Sequence, residues 1–189
     1  MKRWFISDTH FSHKNIIEYA GRPYTTVEEM NRSLIDNWNQ CVEAEDQVFF
    51  LGDFGLGDVE HLHSICSQLK GHKICIRGNH DRNASYMMRV GFDLVLESAF
   101  LKIGQHNVEL IHIPTNPTPS HFQLHGHVHE KRPSKIISNQ LNLCVEVWEY
   151  KPVSEKTLLS LLDKAASNQD HLSLLYQKMS PKPLTTLTI

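Results

Sequence analysis

The 189-residue sequence has little net charge, no long apolar run and no closely spaced cysteines, and each absence excludes a class of protein. No apolar stretch approaches the roughly 18–20 residues that a membrane-spanning helix needs. The four cysteines are far apart and form no C-x-x-C pair, which argues against a zinc ribbon and against a disulfide framework. Nineteen Lys and Arg residues against 21 Asp and Glu residues give a net charge of −2, which excludes the basic field of a sequence-independent nucleic-acid coat.

The two ends of the sequence predict a single domain with a short extension. Polar Ser7 and Asp8 follow the first apolar run too soon for a secretory signal peptide, so we expect a cytoplasmic location. A chain of 189 residues favours one domain, and the helical pattern weakens from Asn168 towards a Thr-rich end with two prolines. We therefore predict a domain over residues 1–167 and a carboxyl-terminal extension or tail over residues 168–189.

Short runs of β-branched and aromatic residues predict seven strands, because each is bounded by Gly, Pro, Asn or Asp. The runs are 3–7, 47–52, 73–77, 99–103, 108–113, 122–125 and 141–148. Helical periodicity separates several of them. The order of elements predicts an α/β fold that leads into a β-rich second half, with mixed sheets rather than a purely parallel one.

Three helices have start signals that can be read from single residues. Thr26 opens a capping-box pattern, and Asp58 is placed to cap a second helix. A third helix begins at Ser154, where Val153 and Leu158 have the spacing of a hydrophobic staple.

Five groups of potential metal ligands directly follow or end predicted strands. They are Asp8 with His10, Asp53, the segment 78–81, His112 and the segment 125–129. Ligand crevices of α/β sheets form at the carboxyl ends of strands, so five groups with this one placement predict a shared site.

The types of side chain in these groups indicate which metals would bind. Carboxylate, amide oxygen and imidazole without thiolate favour Mn, Fe, Zn, Co or Ni over Ca or a soft ion. Two such ions lie roughly 3.5–4 Å apart in known sites and need a bridging group, which a carboxylate can provide. Asp53, preceded by Gly52 in a predicted tight turn, is the candidate for that bridge. Paired ions make hydroxide available near neutral pH for in-line attack on phosphorus.

The whole set of motifs resembles the signature of the calcineurin-like metallophosphoesterase superfamily, in order, over residues 1 to about 150. The matching residues are Asp8-Thr9-His10, Gly52-Asp53, Gly78-Asn79-His80-Asp81, His112 and Gly126-His127-Val128-His129. This resemblance implies two mixed β-sheets sandwiched between helices, in four α/β/β/α layers, with a dinuclear metal centre at the sheet edges.

The resemblance also implies a role for each motif residue. One ion would be held by Asp8, His10, Asp53 and His129. The other would be held by Asp53, Asn79, His112 and His127. His80 would be no ligand but the catalytic group that faces the substrate, protonating the leaving oxygen or stabilising the charged transition state.

One position departs from the family pattern. Many members have an acidic residue three places after the bridging aspartate, where it orients the catalytic histidine, and here that place is Leu56. Asp58 either substitutes for it or simply caps a helix, and we favour the cap. The segment 52–58 also lacks the Asp-Arg-Gly continuation found in protein Ser/Thr phosphatases and diadenosine tetraphosphatases, which argues against both activities.

Two further expectations concern neighbours of the motif residues. His127 and His129 alternate along a continued strand, so both side chains would point to the same side and chelate together. His125 has the same parity, and we interpret it as a residue that supports the ligands or packs beneath them. Asp81 is expected to accept structural hydrogen bonds rather than act with His80.

Three residues are candidates for substrate contacts. His13 and Lys14 follow the first motif and can open a helix whose N–H groups bind phosphate, although an ordinary exposed helix start fits equally well. Arg82 follows the Gly-Asn-His-Asp motif and is either a phosphate contact or a surface charge.

The sequence therefore predicts a hydrolase of phosphoric esters with two divalent ions, acting as a phosphodiesterase or phosphatase on small or nucleotide-like substrates. A metal-bridging hydroxide would attack phosphorus while His80 assists the leaving group. The alternatives are a nuclease acting on DNA or RNA ends and a non-catalytic scaffold of the same fold. The net charge of −2 argues against extended nucleic-acid binding, and neither a membrane partner nor an oligomeric state is indicated.

Overall fold

The computed structural model describes residues 1–118, 120–131 and 136–179, with side chains described as far as residue 167. Two β-sheets form its centre. The first sheet contains β1 (Arg3–Ile6), β2 (Gln47–Phe50), β3 (His72–Ile76), β4 (Leu94–Leu96) and β9 (Val153–Ser154). The second contains β5 (Ser98–Ile103), β6 (His106–Ile111), β7 (Phe122–His125) and β8 (Gln140–Asn142). The strand order is β4-β3-β2-β1-β9 in the first sheet and β5-β6-β7-β8 in the second.

Both sheets are mixed, as the sequence predicted. Strands β1 to β4 run parallel, whereas β9 pairs antiparallel with β1. In the second sheet, β5 and β6 are antiparallel, whereas β6, β7 and β8 run parallel. The parallel strands of each sheet therefore bring their carboxyl ends to one edge, which is where the motif residues lie.

The helices that flank the sheets begin where local capping chemistry places them. They are α1 (Ile16–Tyr19), α2 (Val27–Cys41), α3 (Val59–Cys66), α4 (Ala84–Val90) and α5 (Glu155–Met179). The Thr26 side chain accepts a hydrogen bond at the start of α2, and Asp58 accepts one from His61 N at 2.8 Å at the start of α3. Ser154 Oγ accepts from Thr157 N at 3.1 Å ahead of α5. All three predicted helix starts are thus confirmed.

Two apolar cores hold the layers together. One lies against α2, α3 and α4 and includes Trp38, Phe50 and Leu62. The other joins the two sheets and α5, and it includes Phe5 and Leu158. Apolar packing therefore supports the first sheet both towards α2, α3 and α4 and towards the second sheet.

Several elements differ from the sequence-based expectation. The predicted strand over 141–148 ends at Asn142, and a 3₁₀ helix covers Val145–Val147. Asn142 causes the turn, since its Oδ1 accepts from Cys144 N at 3.0 Å and its carbonyl from Trp148 Nε1 at 2.8 Å. The short elements α4, β4 and β9 were not predicted, whereas α1 begins at Ile16, just after the segment 13–14 that was considered as a possible helix start.

The predicted extension begins as helix. The backbone of α5 continues to Met179, so it includes the first part of that extension, and the rest of the extension lies outside the described residues. Among the helices that the structure describes, none combines the length and apolar character needed to cross a membrane.

Candidate metal centre

The loops that follow β1, β2, β6 and β7 are joined to one another by backbone hydrogen bonds. Asp8 N donates to Gly52 O at 2.9 Å, and Gly126 N donates to His112 O at 3.0 Å. His127 N donates to the Asp8 carboxylate at 3.0 Å, which connects the first motif to the last. His80 N donates to Asp53 Oδ1 at 2.9 Å, which adds the segment 78–81, so all five motif segments meet at one place.

Six of the predicted ligands form two groups whose donor atoms lie within 4.8 Å of one another in each group. The first group is Asp8, His10 and His129, and the second is Asp53, His112 and His127. Asp53 also reaches the first group, since its Oδ2 lies 3.7 Å from His10 Nε2 and 3.3 Å from His112 Nε2. One carboxylate oxygen is thus positioned between the two groups.

Asn79 lies beside the second group. Its Oδ1 is 2.9 Å from Nε2 of His112, whose Nδ1 lies 2.7 Å from the carbonyl oxygen of Leu51. The contact with Leu51 fixes the imidazole so that Nε2 faces the other donors. Residues from all five motif segments therefore contribute donor atoms to this site.

A buried atom without a partner shows that the residues fit a cation. Within the described part of the chain, His10 Nε2 is fully buried and has no hydrogen-bond partner. It instead points towards two carboxylates, at 3.8 Å from Asp8 Oδ1 and 3.7 Å from Asp53 Oδ2. A buried polar atom left unpaired is costly, so the site favours an occupant that accepts both imidazole nitrogen and carboxylate oxygen. A first-row divalent cation has that preference.

The electrostatics of the site favour positive charge. Burial raises the pKa of Asp8, but the neighbouring imidazoles of His10, His112 and His129 hold it well below its usual range. Burial disfavours the charged form of His112, but the Asp53 carboxylate and the charge of Asp8 raise the pKa of this imidazole to about 9. Both shifts show that the two buried carboxylates attract cationic partners.

The motif glycines let the ligand loops approach each other closely. A Cβ on Gly78 would overlap the Asp53 carboxylate, and one on Gly126 would overlap Ser7 Oγ and the Asp8 carboxylate. Any larger residue at either position would push a candidate ligand out of the site. These contacts explain physically why glycine precedes the candidate ligands Asn79 and His127.

Five candidate ligands have left-handed backbone conformations, which non-glycine residues seldom adopt. The φ angles are 58° for Asp8, 48° for His10, 61° for Asp53, 72° for His127 and 48° for His129. Such strained backbones concentrate at functional sites. At each of these positions the chain turns sharply, so that its side chain points into the site.

The strand alternation predicted for His127 and His129 is therefore wrong. Strand β7 ends at His125, and His129 begins a 3₁₀ helix, so the two side chains converge through turns rather than through the pleat of a strand. His125 itself is fully buried beneath them.

Asp81 connects two ligand loops through backbone hydrogen bonds. Its carboxylate accepts from Asp53 N at 2.9 Å, Phe54 N at 2.9 Å and Gly78 N at 2.8 Å. This confirms that Asp81 is a structural acceptor, and it fixes Asp53 relative to the Gly78-Asn79 turn.

His80 lies at the open face of the site. Its side chain is exposed, its ring centre is 5.6 Å from that of His10, and its backbone N–H donates to Asp53 Oδ1 at 2.9 Å. Asp58 caps α3, as favoured from the sequence, and Leu56 is 43% exposed.

The three candidate substrate contacts have different environments. His13 is next to the site, with its ring 5.5 Å from that of His10, and burial lowers its pKa. Its Nδ1 accepts from Ile16 N at 3.2 Å, so it also supports the start of α1. Lys14 is exposed on the surface, and the Arg82 guanidinium lies over the Tyr86 ring at 4.9 Å.

A buried ion pair that the sequence did not predict supports the first group. Arg22 Nη2 donates to Glu146 Oε1 at 2.6 Å and to the Asp8 carbonyl at 2.7 Å, and Nη1 donates to the Thr9 carbonyl at 2.7 Å. Glu146 Oε1 also lies 2.9 Å from His129 Nδ1, which directs the opposite ring nitrogen towards the site. The one feature of the sequence that could have indicated this pair is Glu146, an acidic residue within the apolar run 141–148.

Comparison with known proteins gives a consistent family assignment. A profile of the calcineurin-like phosphoesterase superfamily domain matches residues 1–143. The protein MJ1445 of Methanocaldococcus jannaschii is 36% identical over 173 residues, which cover 86% of this chain and 92% of that protein. The gene 66 protein of mycobacteriophage D29 is 26% identical over 181 residues, covering 77% of this chain and 88% of that protein.

A solved structure extends this similarity to the fold. The crystal structure of the Aquifex aeolicus protein AQ665, described as a protein of unknown function, superposes with a TM-score of 0.68 at 26% identity. The match covers 85% of this chain and 98% of that chain. The two proteins therefore share the arrangement of both sheets over most of their length.

Proposed function

Since the chain belongs to the calcineurin-like phosphoesterase superfamily and is a phosphoester hydrolase in that general sense, we propose that it cleaves small or nucleotide-like phosphoesters with two divalent cations. The observation that carries this proposal is the position of the Asp53 carboxylate between two groups of ligands, within 3.7 Å of His10 and 3.3 Å of His112. A single carboxylate shared by two such groups suits a dinuclear centre better than a single ion.

Each of the two proposed ions would be held by one of the two groups of side chains described above. Asp8, His10, Asp53 and His129 would hold one ion, and Asp53, Asn79, His112 and His127 would hold the other. When bound, such ions polarise phosphoryl oxygens and lower the pKa of a water molecule towards neutrality. Manganese is the first candidate to test, because the carboxylate and amide oxygens of both ligand sets suit it.

The protein's own residues would supply positioning and a proton. The exposed imidazole of His80 can reach an ester oxygen at the open face and protonate it as it leaves phosphorus. Its backbone N–H donates to Asp53 Oδ1, which keeps the carboxylate that would be shared by the two ions in one orientation. Arg22 and Glu146 keep the Asp8 turn and the His129 ring in place.

A direct assay tests this function. Purified protein loaded with manganese is expected to hydrolyse p-nitrophenyl phosphate, bis-p-nitrophenyl phosphate or both. The Asp53→Asn variant, which keeps the size of the side chain but loses a negative charge, is expected to lose the activity by more than about a hundredfold. Equal activity of wild type and Asp53→Asn, or no hydrolysis of either compound, would contradict the proposal.

A further inference from the structure

A groove with a volume of about 370 Å³ opens beside the second ligand group. Asn79 and His112 line it, so the groove adjoins the candidate metal centre. Its volume falls within the roughly 300–1,000 Å³ of typical small-molecule sites. A substituent on a phosphorus atom at the centre could therefore extend into it.

One wall of the groove is apolar and held firmly. Ile113, which follows β6, is 47% exposed, although large apolar side chains usually bury more of their surface. Thr115 is fixed beside it, because its N–H donates to Gln123 Oε1 at 3.0 Å and its Oγ1 accepts from Gln123 Nε2 at 2.9 Å. Gln123 is fully buried and is itself held by Gln140 Nε2 at 2.8 Å. Such a wall is preorganised for a ligand.

Another part of the lining is an ion pair. The Arg77 guanidinium donates to both carboxylate oxygens of Glu97, at 2.7 and 2.8 Å. Because this ion pair carries no net charge, this part of the groove attracts a second phosphate only weakly. The groove is thus suited to an uncharged group with one apolar face and polar edges.

The groove and His80 adjoin different ligand groups. His80 lies beside His10 of the first group, whereas the groove is lined by His112 of the second group and by Asn79 next to it. A phosphomonoester has one ester substituent and needs only one of these places. A phosphodiester has two substituents and can use both.

We propose, on the basis of the function proposed above, that the groove binds the retained substituent of a phosphodiester, an uncharged nucleoside-like group, while the other substituent leaves beside His80. In this hydrolysis a water oxygen bonds to phosphorus, and the bond from phosphorus to the leaving oxygen breaks. One proton goes to the leaving oxygen, and the other water proton stays with the phosphomonoester product, which then ionises. The retained group keeps its ester bond and its place in the groove.

Three esters with the same leaving group test this proposal. They are p-nitrophenyl phosphate, methyl p-nitrophenyl phosphate and thymidine 5′-(p-nitrophenyl phosphate), which differ only in what phosphorus retains. We expect kcat/KM for the thymidine ester to exceed that for the methyl ester by about tenfold in the manganese-loaded protein. Equal values for the two diesters would overturn the groove proposal while leaving the hydrolase itself intact, whereas hydrolysis of none of the three would remove the proposed function.

Variants of the apolar wall localise the effect. Ile113→Ala is expected to reduce the preference for the thymidine ester to about twofold or less, mainly through KM, and Ile113→Leu to retain it. Leu94→Ala is the matched control, because Leu94 is 46% exposed on β4 and does not line the groove. Calorimetric titration with thymidine 5′-monophosphate should show about tenfold weaker binding to Ile113→Ala than to wild type. An unchanged preference and affinity in Ile113→Ala would place the retained group elsewhere.

Discussion

At the scale of single residues, the candidate site contains two kinds of side chain. Most are buried and face one another, whereas the imidazole of His80 faces outwards. Asp8, His10 and Asp53 are almost completely buried, whereas His80 is exposed and lies only 5.6 Å from the His10 ring. Burial suits ligands, because their charges must be balanced by an ion, and exposure suits a group that meets the substrate. The two kinds of residue should therefore respond differently to substitution.

His80→Ala tests this separation. The variant is expected to bind both metal ions as wild type does, because its imidazole belongs to neither ligand group. Its kcat should fall by about 10²–10⁴-fold, the range that a positioned proton donor contributes. Elemental analysis of the purified variant gives the metal content. Loss of one ion equivalent would make His80 a ligand instead.

Glu146→Gln tests the buried support of His129. Removing the negative charge weakens the hold on the His129 ring, and residues that orient ligands in this way affect metal affinity by about 10–100-fold. We expect one of two binding events in calorimetry to weaken by that factor and the other to change little. Glu149→Gln is the control, since that side chain is 89% exposed. Unchanged affinity for both ions would leave Glu146 with a role in folding alone.

At the scale of secondary-structure elements, the sequence predicted what local chemistry determines. The caps at Thr26, Asp58 and Ser154 were readable because each side chain bonds to backbone three residues away. Strands β4 and β9 were missed, since they have three and two residues and exist only through pairing with neighbours. Short elements of that kind depend on tertiary contacts.

The sequence predicted which residues belong to the candidate site but not how the backbone places them. Asp8, His10 and Asp53 could be identified because each follows a recognisable strand, but their positive φ angles leave no signal in the sequence. The turn between His127 and His129 was misread for the same reason. Arg22 and Glu146 were missed because their pairing joins segments 124 residues apart.

Asp58→Ala distinguishes the two interpretations of that residue. If Asp58 only caps α3, the variant should lose about 1 kcal/mol of stability, which lowers Tm by about 2–4 °C, while kcat stays within about twofold of wild type. Asp58→Ser, which keeps a capping oxygen, should restore Tm. A large fall in kcat with an unchanged Tm would instead assign Asp58 to the orientation of His80.

At the scale of the whole molecule, two sheets and one shared core bring distant segments together. Phe5 and Leu158 belong to the core that joins the sheets, so the strands that carry the first and last motifs are fixed to each other. The chain has a net charge of −2, which suits a small ester substrate better than a long polyanion.

Salt dependence tests that difference in substrate. Hydrolysis of a small diester should change by less than about twofold between 50 and 200 mM salt, because few phosphates are contacted. A 20-base-pair duplex serves as the comparison substrate under the same conditions. Efficient cleavage of the duplex with a fall of about 10³-fold over that range would indicate an extended nucleic-acid interface instead.

The most direct test of a dinuclear centre is anomalous diffraction from crystals soaked in manganese. We expect two peaks about 3.5–4 Å apart, with Asp53 adjacent to both, Asp8, His10 and His129 around one, and Asn79, His112 and His127 around the other. A single peak, or peaks that do not share Asp53, would contradict the account.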